Sequence, residues 1–100
     1  MLIMENVMLI PKIAIDRMLP GMYAWQVFSD EEVMDEDYGD HTIEECLENA
    51  IDEVPPSVPM VEIVYCGFHM GTISTSVIRM SAEATASRIL SLHGAFARTC

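Results

Sequence analysis

Residues 30–53 contain twelve aspartates and glutamates and not one lysine or arginine. No fold can be built around such a run, because ionised carboxylates leave water only when they are paired, and this stretch supplies no partner. The core must come from the apolar segments on either side, with at most one inward face contributed by the acidic segment itself. One hundred residues are enough for one modest core and not for two. Hydrophobic residues make up 51% of the chain and are separated by recognisable turn and cap signals, so an ordered globule is expected despite the charge.

Ahead of the acidic run, Pro20 and Gly21 separate two apolar arms. Proline suits the first central position of a type II turn and glycine the positive φ of the second, which predicts a hairpin. The second arm alternates Tyr23, Trp25 and Val27 against Met22, Ala24, Gln26 and Phe28, a strand period. The first arm, residues 7–19, reads either as a strand or as a short helix opened by Pro11. Residues 30–41 read as an acidic loop. Thr42 and Glu45 then form a capping box ahead of a helix over 42–54, stopped by Pro55 and Pro56. Its inward face is Ile43, Leu47, Ala50, Ile51 and Val54; Glu44, Glu45, Glu48 and Asp52 lie opposite. Two strands, 61–66 and about 70–77, join through Gly67, with Val61, Ile63 and Tyr65 on one face. A second helix over 82–93 is capped by Ser81, buries Ala82, Ala86, Ile89, His93 and Phe96, and ends near Gly94. The expected fold is α+β: a small two-layer domain with an antiparallel sheet of about four strands and two helices on one face.

A net charge of −11 with Lys12 as the only lysine opposes direct binding to nucleic acid or to anionic membrane, both of which need cations to displace counterions. The opening "MLIMENVMLIPKIA" is apolar but interrupted by Glu5, Asn6 and Pro11, and reads as neither signal peptide nor membrane span. Three cysteines without C-x-x-C spacing fit reduced thiols in a cytoplasmic protein.

No constellation specifies a reaction, so the chain is read as non-enzymatic. An EF-hand loop begun at Asp35 fails, since Cys46 occupies the position of the bidentate glutamate. Cys66 and His69 have the separation of half a zinc site, with no second pair to close it. Read as nucleophile and base, they lack a third orienting group. His93 reads as a histidine at the core boundary. No phosphate-binding glycine motif is present, and no cofactor or metal is expected.

The acidic face is what remains. Glu44, Glu48 and Asp52 stand four apart, so like charges stack at about 6 Å intervals along the helix. Sequence that accepts several small local penalties in one place often does so at a functional surface, although a merely solvated face has the same composition. The functional reading is a docking surface for a basic protein, formed by Asp30, Glu31, Glu32, Asp35, Glu36, Asp37 and Asp40 together with Glu44, Glu48 and Asp52.

By size, charge and this acidic segment, the chain resembles small phage-encoded inhibitors of the anti-CRISPR type, several of which imitate nucleic acid. The resemblance implies a partner with a basic groove, such as a CRISPR–Cas effector subunit, and a location in the bacterial cytoplasm. A second, local stretch, "GDHTIEECLENA" at residues 39–50, is similar to the strand-to-helix passage of HicB-type antitoxins. Both resemblances imply a protein that neutralises another protein.

Overall fold

In the computed structural model, which describes residues 10–96, the chain alternates extended and helical segments around one apolar cluster. Strands β1 (Lys12–Leu19) and β2 (Met22–Ser29) form the expected hairpin, with Gly21 at φ +75°. The first arm is therefore a strand, because Ile13 and Ile15 alternate with Lys12, Ala14 and Asp16 and only the isoleucines are fully buried. The part of that arm before residue 10, the side chain of Phe96 and Cys100 lie outside the described residues.

Strand β3 (Glu32–Asp40) replaces the expected acidic loop. Poor strand formers are accepted there because β3 lies at the sheet edge and bonds only to β2, so its carboxylates stay in water. A two-residue turn at Asp30 and Glu31, with φ of +54° and +72°, matches the twist of the flanking strands. Helix α1 (Ile43–Ile51), β4 (Met60–Tyr65), β5 (Phe68–Ser74), α2 (Thr75–Met80) and α3 (Ala82–Phe96) complete the domain.

The sheet has five strands in the order β3-β2-β1-β4-β5 and is mixed, not antiparallel throughout. Strand β4 runs parallel to β1, with Ile13 opposite Ile63 and Ile15 opposite Tyr65. The extra strand is the cause. Two strands before α1 would return the chain antiparallel to β1, whereas three reverse the direction in which it enters the helix and hence the direction of β4.

Only one alternation of each central strand is buried: Ile13 and Ile15, Trp25 and Val27, then Val61, Ile63 and Tyr65. The helices cover that face through Leu47, Ile51, Ile78 and Ile89, each large side chain contributing about 1.5–3 kcal/mol on burial. Helix α2 occupies the end of what reads as a strand to residue 77. Its residues Thr75 and Ile78 are buried three apart, a helical spacing that the β-branched Thr72, Ile73, Thr75 and Val77 conceal. Ser81 breaks α2 from α3 and caps the latter, its hydroxyl accepting from the Ala84 N–H at 3.2 Å. Helix α3 continues through Gly94 instead of ending there, so a lone glycine does not stop it.

Candidate functional site

The acidic surface is assembled by three elements. The turn at Asp30 and Glu31 joins β2 to β3 and leads into Glu32, opposite Ser29. Along β3, Asp35 lies opposite Val27 and Asp37 opposite Trp25, on the helix-bearing side; Glu36 lies opposite Gln26 on the other side. The Gln26 amide donates to Glu36 Oε1 at 2.9 Å. Asp35 and Asp37 each accept from the following backbone N–H, of Glu36 and Tyr38, which fixes both side chains along the strand.

Asp40 fastens this strand to the helix. Both of its carboxylate oxygens accept from the Asn49 amide at 3.1 Å, and it faces the Cys46 thiol. Burial, then the charge and hydrogen bond of Asp40, push that thiol up to about 12. At the start of α1 the Thr42 hydroxyl accepts from the Glu45 N–H at 3.0 Å, and Glu45 accepts from the His41 N–H at 2.6 Å. The reciprocal bond of the capping box is thus displaced by one residue, reaching His41 instead of Thr42.

At about 100° per residue, the exposed arc of α1 runs from Glu44 through Glu48 and Asp52 to Glu53. The acids therefore wrap around the helix. Glu53, at the edge facing β3, meets Asp35, and the two carboxyl groups share a hydrogen bond when one is protonated. That bond and the Asp35 charge raise the Glu53 pKa, with smaller contributions from desolvation and Asp52. The meeting takes place at the C-terminal end of α1, where the helix dipole is negative and no basic residue stands in the last turn. On the opposite flank Glu44, Glu48 and Asp52 line a groove of about 530 Å³ against the α2–α3 break. Arg79 lines it too, but donates to the Val54 carbonyl at 3.0 Å. The lone lysine is also engaged elsewhere: Lys12 lies over the Phe28 ring, 4.7 Å from its centre.

Of the ten expected carboxylates, the structure places Asp30, Glu31 and Glu32 at the β2–β3 turn, Asp35 and Asp37 on the helix-bearing side of β3, Glu36 on its other side, Asp40 against Asn49, and Glu44, Glu48 and Asp52 on the flank of α1 away from β3. Sequence reading passed over Asn49, Arg79 and Glu83, whose relation to the acids depends on tertiary packing. Glu53 did carry a local signal, an acid at the wrong end of a helix.

The alternative chemistry has a different geometry. Cys66, at φ +51° in the β4–β5 turn, is disulfide-bonded, which corrects the expectation of reduced thiols throughout. His69 pairs with Glu62 across the strands. Among the described residues no three His, Cys, Asp or Glu side chains converge to hold a metal ion. His93 stands edge-on to Tyr65 and Phe68, at 4.8 and 5.8 Å between ring centres, with Nε2 buried and unpartnered among the described residues. Trp25 and Tyr65 are buried and Tyr23 half-buried, so these aromatics belong to the core and offer no open face. No described helix is long and apolar enough to cross a membrane.

Comparison with known proteins found no matching family model, no similar curated protein and no similar solved structure.

Proposed function

We propose that this protein is a non-enzymatic inhibitor of the anti-CRISPR type, whose acidic band occupies a basic groove that in the target holds nucleic acid. The observation that carries the reading is the juxtaposition of β3 and α1, two neighbouring elements that present acids with no lysine or arginine on either. Like charges four apart on α1, with acids and not cations at its negative end, are a local penalty that no lysine or arginine of these two elements relieves. Such a penalty is understandable if the compensating cations belong to a partner. Helix α1 presents charge at regular steps of about 6 Å through Glu44, Glu48 and Asp52, as a phosphate backbone does, and Asp35 and Asp37 add one step of about 7 Å on β3.

Capture from bacterial cells that carry CRISPR–Cas systems, followed by competition with nucleic acid, tests this reading. The expected result is a protein partner from which the inhibitor and nucleic acid displace one another. A partner that binds both at once would overturn the mimicry.

A second reading has its own support. The stretch similar to HicB-type antitoxins, residues 39–50, coincides with the β3-to-α1 passage, including the Thr42 cap. On that reading the neutralised protein is a toxin, and capture would recover it in place of a CRISPR–Cas subunit.

A further inference from the structure

We propose that the groove between α1 and the α2–α3 break seats a basic amphipathic helix of the partner, with cations against Glu44, Glu48, Asp52 and Glu83 and an apolar side chain between Ile78 and Met80. This deepens, and rests on, the reading of the acidic band as a protein-docking surface.

The groove differs in kind from the rest of the band. Elsewhere the carboxylates stand on a convex helix arc or an edge strand; here they form one wall of a concave space of about 530 Å³ with Glu83 on the far wall. Ile51, Ile78 and Ala82 back the groove and are almost fully buried, so its walls are mainly polar and apolar contact is confined to a small patch beside Met80. Met80 stands at the lip, 86% exposed although large and apolar. A flexible thioether in that position adapts to an incoming side chain. Ser81 creates the space by leaving helical geometry between α2 and α3.

Charge decides the occupant. A second copy of the chain brings −11 and is repelled, as is nucleic acid. Arg79 also lines the groove and keeps its charge while donating to the Val54 carbonyl, so it offsets one of the four carboxylates and the lining stays net negative. The periodicity then selects a helix. Cations four apart on a partner helix repeat every 6 Å or so, in step with Glu44, Glu48 and Asp52, whereas alternate residues of an extended segment repeat every 7 Å or so and drift out of register. An apolar face beside the cations completes a helix-in-groove contact.

The test uses the full chain, isotopically labelled, and a synthetic helical peptide with arginines four apart beside leucines spaced three and four apart. Binding should shift the Ile78 and Met80 methyl resonances. Glu83→Lys and Met80→Ser, both at exposed positions, should each weaken it about tenfold, while Asp16→Asn, exposed on β1 and outside the acidic surface, leaves it unchanged. Shifts confined to β3 and the outer arc of α1, or indifference to both groove substitutions, would overturn the groove and leave the broader docking surface standing. Equal binding by a proline-interrupted peptide would overturn the helical occupant. If binding of the captured partner is insensitive even to replacement of Glu44, Glu48 and Asp52, the docking surface itself falls and the groove with it.

Discussion

Asp35 on β3 and Glu53 at the end of α1 bring two carboxyl groups together where the helix dipole is already negative. The contact raises the Glu53 pKa, so the folded state holds that proton more tightly than the unfolded chain does. Stability from this pair is present below the ordinary value of 4.5 and is lost as pH rises through the raised one. Glu53→Gln should therefore raise the melting temperature at pH 7 and lose that advantage below pH 4. Thermal melts of the two proteins across this range check it; an advantage independent of pH would contradict the shared proton.

Thr42 holds the first turn of α1 through its hydroxyl. Thr42→Ala should destabilise the domain by about 1 kcal/mol, and Thr42→Ser should restore most of the loss. Urea unfolding at neutral pH measures both. Equal stability of the alanine and serine variants would mean that the Glu45–His41 bond alone secures this end.

The same helix was the most legible part of the sequence, because cap, amphipathic period and proline stop all pointed one way. Ile43, Leu47, Ala50, Ile51 and Val54 are all buried as their spacing requires. Strand β3 was hidden for a physical reason: local composition opposed extended pairing, and only the adjacent edge of β2 made it favourable. Missing that strand also inverted the expected direction of β4. The short α2 was masked by β-branched residues, and the groove beside it depends on the break at Ser81, for which no local pattern gives the angle. The acidic residues of the candidate surface were readable individually, but the Asp35–Glu53 meeting is a product of tertiary structure.

Cys46 is fully buried beside Asp40, with its thiol pushed up to about 12. In the folded protein it should not react with thiol reagents at pH 8, since the thiolate is the nucleophile and is scarcely populated there. Reagent labelling followed by peptide mass spectrometry should find Cys46 modified only after unfolding. Rapid stoichiometric labelling of the native protein would contradict the burial of this thiol beside Asp40.

The central claim is that the acidic band exists for a basic protein partner. The most direct measurement is the association rate of the captured partner with the parent chain and with the variant carrying Glu44→Gln, Glu48→Gln and Asp52→Gln, taken from low salt to physiological salt. Attraction between unlike surfaces accelerates encounter until the Debye length shrinks to about 8 Å. The parent should associate at least about tenfold faster than the variant at low salt, with the gap narrowing as salt is added and circular dichroism unchanged between them. Equal rates and equal affinities at every salt concentration would contradict the claim, leaving the twelve carboxylates of residues 30–53 as a solvated surface and nothing more.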